Sequence, residues 1–430
     1  MKWFKEPEHK KEDQVMDTRE TEKTVKNVLD QVKAEGDAAV KELTRKYDGF
    51  DLEKISVEKD KIKAAYDYVD DESLTAIKDA AKQIETFAKN QLSALKPMEF
   101  ESMPGVTLGH RLVPISRVGC YIPAGRYPLP SSALMSIVPA KVAGVKKIMA
   151  CAPPLKDSST LGGEFEIHPM ILVAMDIAGA DEVYCMGGAQ AIAAYSYGTE
   201  TVTKADMIVG PGNRFVTEAK RQVNGMVGID LLAGPSEVLI IADDSADSDK
   251  VAMDLLAKCE HDADAVSILV TTSESMAKET IKKLEEKLEK LETKEVAEES
   301  WEKYGEVVTC NDMNEAVTLA NERAPEHLQL MLDDPEPLVP QLENYGSLFI
   351  GHESPVAFGD YCSGTNHILP TNQSGRHTNG LWVGSFIKVL SHQKVSSKGA
   401  KKLSKTCSHL AEREGLYAHK HSSDLRGKEG

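Results

Sequence analysis

AGVKKIMACAPP at residues 143–154 and AGADEVYCMGGA at residues 178–189 decide the fold. Each reads as a helix end, an Ala-Gly stop, a polar pair, a short apolar run and a turn of small residues. Their starts are 35 residues apart, about the length of one strand–helix unit. Similar apolar runs lie on either side: VGCYIPA at 118–124, DMIVGPGN at 206–213 and EVLIIADD at 237–244. Helical stretches separate most of them. Alternating strands and helices predict a parallel sheet, and continuous rather than alternating apolar runs predict strands buried on both faces. The turns after such strands are where parallel sheets bind ligands.

Downstream, SILVTT at 267–272, EVVTC at 306–310 and SLFIG at 347–351 read as strands of a second α/β region. Between them IKKLEEKLEKLE, at 281–292, places Ile281, Leu284, Leu288 and Leu291 on one helical stripe, the pattern of a helix packed on a sheet. Upstream, Val25, Val28, Leu29 and Val32 repeat at helical spacing. After Lys388 the chain is polar and basic, too poor in apolar residues for a core of its own. It is expected to be disordered or to form a helical arm lying on something else.

The chain has 430 residues, which suits two or three domains. Its net charge is −17, from 51 basic and 68 acidic residues. Such a surface repels nucleic acid and anionic membranes, so neither is an expected partner. No apolar run reaches the length of a bilayer span, and the charged start lacks the apolar core of a signal peptide. Seven cysteines, an odd number without a CxxC pair, fit reduced thiols in a cytosol. A cytoplasmic location is expected.

Reactive side chains concentrate in CEHD at 259–262, APEHLQL at 324–330, FGDYCSGTNHILPT at 358–371 and EGLYAHKH at 414–421. Imidazole and carboxylate suit a borderline cation such as zinc, and a Glu-His pair suits acid–base work. Taken singly, each reads more readily as an ordinary cap or surface group; His261 and Lys258 could simply favour a helix C-terminus. The glycine turns MGGAQAIAA and VGPGNRF are not GxGxxG. They read either as phosphate cradles or as tight turns.

Taken together, these stretches resemble the histidinol dehydrogenase family. RVGCYIPAGRYPLPSSALMSIVPAKVAGV, GGAQAIAA, VGPGN, IDLLAGPSEVLIIAD, EHD, APEHLQL, GDYCSGTNHILPT and EGLYAHK occur in one order over nearly the whole chain. The resemblance implies an NAD-dependent, zinc-containing enzyme that oxidises a primary alcohol through an aldehyde to a carboxylate, using two NAD. It implies Glu326 as the group activating water and His327 as the general base. It implies Tyr121, Gln190 and Asn213 as NAD contacts and His261, Asp360 and His419 as zinc ligands. Ser236, Lys258, His327, His367 and Glu414 fall at substrate positions. It also implies a domain-swapped homodimer in which His367, Glu414 and His419 complete the neighbour's site.

The expected architecture is therefore α/β, with two Rossmann-like parallel-sheet domains of related topology, a helical N-terminal segment and an extended C-terminal dimerisation arm. The expected boundaries are an N-terminal arm at 1–20, a first domain from 21–116 with 236–375, an NAD-binding domain at 117–235, and the arm at 376–430.

One position departs from the resemblance. The family has a glutamine zinc ligand where this chain has Lys258, and a protonated ammonium offers no lone pair. Three readings stay open: zinc held without that ligand, Lys258 replacing the metal's charge, or a site without catalysis. A lysine there would repel an ammonium substrate and attract an anion. PAGRYP at 123–128 and GLWVGSFIK at 380–388 resemble a sister branch, the sulfopropanediol 3-dehydrogenases, and Arg126 and Arg376 could help a sulfonate. The reading leans to a small anionic polyol such as 2,3-dihydroxypropane-1-sulfonate. Its alternatives are an authentic L-histidinol dehydrogenase and a non-catalytic nucleotide-binding scaffold.

Overall fold

Two parallel sheets organise the computed structural model, which describes residues 1–8, 18–124, 128–155 and 165–428. The first contains Arg117–Tyr121, Lys147–Ala152, Glu182–Cys185, Met207–Val209 and Gly228–Ile229. Arg117–Tyr121 is central, the next two strands extend the sheet to one side, and the last two extend it to the other. The second sheet repeats this plan: Glu237–Ala242 is central, Val266–Thr271 and Glu306–Thr309 build one way, and His327–Met331 and Ser347–Ile350 the other. Each sheet therefore reverses direction beside its central strand, the switch point where α/β sheets open a crevice.

The repeated Ala-Gly stops have a local cause. Gly144 and Gly179 take φ 85° and 96° as they terminate helices Pro130–Ala143 and Pro169–Ala178. Only glycine adopts such left-handed angles without penalty. The strand interiors then alternate between two cores. Val238 and Ile240 face helices Ser248–Cys259 and Glu274–Leu288 on one side, while Leu239 and Ile241 face helix Met313–Arg323 on the other.

The structure corrects the expected boundaries at three places. The N-terminal helices were assigned with the 236–375 region, yet Val25, Val28, Leu29, Leu43, Ile77 and Ile84 share one core with Val118, Ile148 and Ile208 of the first sheet. Helix Thr18–Glu35 lies against helices Gly188–Tyr197 and Arg214–Val223. Its periodicity defines an apolar stripe but not which sheet receives it. The N-terminal arm also contributes structure: Lys2–Lys5 pairs antiparallel with Glu306–Thr309 and closes that edge. Finally, Leu381, Val383 and Phe386 are buried in the first core, so the arm departs only at Ile387.

That arm begins with strand Ile387–Val395, paired with Val106–Pro114 in a separate antiparallel sheet completed by Met98–Met103. Helices Ser397–Arg413 and Tyr417–Gly427 follow and pack on each other. Only Gly399 and Ala411 are buried in them, while Leu410, Leu416, Tyr417 and Leu425 stay exposed. Among the described residues, no helix is long and apolar enough to cross a membrane.

Candidate active site

The C-terminal edge of the first sheet carries the three expected nucleotide contacts. Tyr121 ends the central strand, and its hydroxyl accepts a bond from the Gly188 N–H at 3.3 Å. Gln190 is buried in the first turn of helix Gly188–Tyr197 and donates to Asp48 at 3.2 Å. Asn213 caps helix Arg214–Val223 by accepting from the N–H groups of Phe215 and Val216. Tyr121 and Asn213 thus flank the switch point between Arg117–Tyr121 and Met207–Val209.

The VGPGN turn there is clamped. Gly210 has φ 119°, and a Cβ on it would meet the Tyr121 carbonyl oxygen at 2.0 Å. Its N–H donates to Asp230 at 2.7 Å and its carbonyl accepts from buried Lys220 at 3.0 Å. Lys220 and Asp230 also form a direct buried ion pair. The N-termini of helices Gly188–Tyr197 and Arg214–Val223 flank this glycine turn, and their dipoles favour the phosphates of a dinucleotide.

The reactive cluster lies at the opposite edge of the second sheet, where Glu237–Ala242 and His327–Met331 begin. Ser236 Oγ donates to Glu326 Oε2 at 2.6 Å, and the Glu237 N–H donates to the same oxygen at 2.8 Å. His327 Nδ1 lies 2.8 Å from the Glu237 carbonyl oxygen. A carbonyl can only accept, so Nδ1 carries the proton and Nε2 is the nitrogen available for chemistry. That Nε2 faces Asp360 Oδ1 at 3.3 Å.

Asp360 also faces two nitrogens from the helix end quoted as CEHD. Lys258 Nζ is 3.6 Å and His261 Nε2 4.0 Å from Asp360 Oδ2. Lys258 occupies the last turn of helix Ser248–Cys259 and is 2% exposed.

Asp360 and His367 are brought in by a mechanism the sequence reading missed. Pro139 lies inside helix Pro130–Ala143. Lacking an N–H, it leaves the carbonyl four residues earlier without its helical donor. That carbonyl belongs to Met135, and Asn366 Nδ2 donates to it at 2.8 Å. The loop is pinned there, and the neighbouring His367 donates from Nδ1 to the Asp360 carbonyl at 2.9 Å while its Nε2 accepts from Ser132 at 3.3 Å. The proline was the available signal; Asn366, 231 residues beyond the freed Met135 carbonyl, was not.

The charges are strongly coupled. Burial alone would raise Asp360, but Lys258 and His327 outweigh it and hold its carboxyl far below the usual range. Glu326 behaves likewise: burial opposes ionisation, and His327, Lys258 and the Ser236 hydrogen bond overcome it. Burial and Lys258 oppose charge on His327, yet Glu326 and Asp360 raise it to about 9. Lys258 first, then burial, depresses His261 to about 4. His261 is 46% exposed, so solvent screening moderates that effect. Burial lowers His367, in keeping with its neutral hydrogen-bonding pattern.

Ser236, Lys258, His261, Glu326, His327, Asp360 and His367 therefore converge within one chain. For His367 this is a correction: it was expected to complete the neighbour's site and instead joins its own. Glu414 and His419 stand exposed on the tail hairpin and do not join the cluster. Among the described residues, no group of three or more His, Cys, Asp or Glu is placed to hold a metal ion. With an ammonium among the nitrogens facing Asp360, the donor set of this chain does not fit the expected zinc. Arg376 donates to the Glu322 carbonyl at 2.6 Å and serves helix Met313–Arg323, not the cluster. Arg126 lies outside the described residues.

The profile of the histidinol dehydrogenase family matches residues 11–427. A "Histidinol dehydrogenase homolog" from Shouchella clausii is 43% identical over 97% of both chains. The "Histidinol dehydrogenase" of Methanothermobacter thermautotrophicus is 44% identical over 93% of this chain and 91% of its own. The crystal structure of histidinol dehydrogenase from Elizabethkingia anophelis superposes with a TM-score of 0.89 at 38% identity, covering 96% of this chain and 92% of that one. With the fold, the order of its motifs and these relatives in agreement, the chain belongs to the histidinol dehydrogenase family of NAD-dependent oxidoreductases.

Proposed function

We propose that the protein oxidises L-histidinol through the aldehyde to the carboxylate, consuming two NAD. The observation that carries this reading is the Ser236–Glu326–His327 arrangement, in which a buried carboxylate and an oriented imidazole share one oxygen environment. Full-length relatives that bear the histidinol dehydrogenase name support the substrate. The reading for dihydroxypropanesulfonate finds no such support. Of its two arginines, Arg376 is engaged in capping a helix.

Residues 117–235 would hold the cofactor through Tyr121, Gln190 and Asn213, and bound NAD supplies the hydride acceptor. His327 Nε2 takes the proton from the alcohol and later from the hydrated aldehyde. Glu326 and Asp360 stabilise the imidazolium that results. Glu326, its second oxygen unused by Ser236 and Glu237, orients and deprotonates the water that adds to the aldehyde. Ser236 and His367 line the substrate's polar end.

A second copy of the chain would bring Glu414 and His419 to this cluster. The tail's exposed leucines and its lack of a core support a swapped arm ordered by a partner. The seven free cysteines fit a cytosolic enzyme.

The test is NADH production by the purified protein with L-histidinol, alongside (R)-2,3-dihydroxypropane-1-sulfonate. Two NADH per histidinol consumed is the expected result. Turnover of the sulfonate alone would overturn the substrate, and NAD binding without turnover of either would point to a scaffold.

A further inference from the structure

Lys258 Nζ and His327 Nε2 are both buried without a hydrogen-bond partner. Both face Asp360, at 3.6 Å and 3.3 Å, outside good hydrogen-bonding contact. A buried ammonium that has an ion pair at 3.6 Å but no hydrogen bond is costly to retain. The cost is recovered when an acceptor oxygen arrives between these groups. A metal dication there would meet an ammonium with no lone pair to offer and a charge of its own sign.

We propose that the Lys258 ammonium stands where a metal cation would act in this site, that it is the fixed positive charge facing the reacting alcohol oxygen, and that the oxidation is therefore metal-independent. The inference rests on the dehydrogenase reading above for its chemical part. In the alcohol step the O–H bond breaks and its proton passes to His327 Nε2. The carbinol C–H bond breaks and its electron pair leaves as hydride to the oxidised nicotinamide. Lys258 donates one hydrogen bond to the developing alkoxide, which a preorganised cation stabilises more than it does the alcohol. In the aldehyde step the same ammonium faces the oxyanion of the hydrate. Asp360 balances the lysine when no substrate is present, and helix Ser248–Cys259 holds it rigidly in place.

The full-length protein is dialysed against dipicolinate, and its metal content is measured by mass spectrometry with and without later zinc chloride. NADH production from L-histidinol is followed on the same samples, for the wild type, Lys258→Gln and Lys258→Met. Thermal melts establish that each variant is folded; the near-isosteric glutamine serves if methionine is not accepted. The expected wild type is metal-free, fully active and indifferent to zinc. Lys258→Met should lose on the order of 10²-fold in kcat, as when one oxyanion donor is removed. Lys258→Gln should lose activity without metal and take up one zinc per subunit. A wild type that retains one zinc against the chelator, or that loses activity and regains it with zinc, overturns the proposal. So does a folded Lys258→Met with undiminished kcat. If the wild type excludes zinc and Lys258→Gln acquires it, yet neither makes NADH, the proposed function falls and the placement of Lys258 at the metal's position stands.

Discussion

His327 Nδ1 donates to the main-chain carbonyl of Glu237 at 2.8 Å. The two residues lie 90 positions apart and meet because the strands that begin with them are neighbours in the second sheet. The bond sets the tautomer of the imidazole and turns Nε2 towards Asp360. It suits to the proposed role of general base a residue that the sequence shows only as the H of APEH.

That base should be visible in a pH profile. Burial and Lys258 oppose the imidazolium, but Glu326 and Asp360 raise its pKa to about 9. The neutral, proton-accepting form therefore grows as pH rises through about 9. The expected kcat/KM for the alcohol increases with pH and levels off above that value. A profile already flat at pH 7 would count against His327 as the base.

Glu326→Gln keeps the shape of the side chain and removes its charge. Water activation is lost, so aldehyde oxidation should fall by about 10²- to 10⁴-fold. The first hydride transfer should fall less. Single-turnover assays started from histidinol and from histidinaldehyde separate the steps, and equal loss in both would refute the assignment.

Asn366→Ala strips the Met135 carbonyl of its donor. A buried acceptor left without a partner costs about 1–3 kcal/mol, so Tm should drop and Asp360 should lose its anchorage. In a Pro139→Ala background the helix regains its own N–H at that carbonyl, and the same substitution should cost less. A double-mutant cycle with no coupling would show that the bond does not hold the loop.

Lys220→Met leaves Asp230 buried without its cation, an expected loss of about 3–5 kcal/mol. It also frees the Gly210 turn that both residues clamp. Unfolding by urea should report the first effect, and a raised Kd for NAD in the folded fraction the second. A stable variant with unchanged NAD affinity would remove the clamp from the account.

Deleting residues 397–430 removes the exposed tail hairpin. Sedimentation should then report a monomer, and activity should vanish because Glu414 and His419 are gone. A truncated chain that remains dimeric and active would overturn the swapped arm.

Much of the fold was legible because its causes are local. KIMACA and EVYC are short, largely apolar runs bounded by turn residues, the pattern of buried strands, and the glycines before them terminate helices through left-handed angles that other residues resist. Their 35-residue repeat marked consecutive strand–helix units. The motifs CEHD, APEH and GDY marked reactive segments for the same reason, since side-chain chemistry is written in residue identity. The lysine at 258 was equally plain, because no folding is needed to see that an ammonium cannot ligate.

What the tertiary structure alone decided depends on partners far away in the chain. A helical stripe of Val25, Val28, Leu29 and Val32 specifies an apolar face but not its recipient, so only packing showed that the N-terminal helices cover the first sheet. His367 could be assigned to its own subunit only once Asn366 was seen to fill the gap left by Pro139. Residue identity determined that Lys258 would be charged. The fold determined that its ammonium would be buried, lack a hydrogen-bond partner and face Asp360, because the end of helix Ser248–Cys259 and the distant short helix Val356–Tyr361 had to close on the same edge of one sheet.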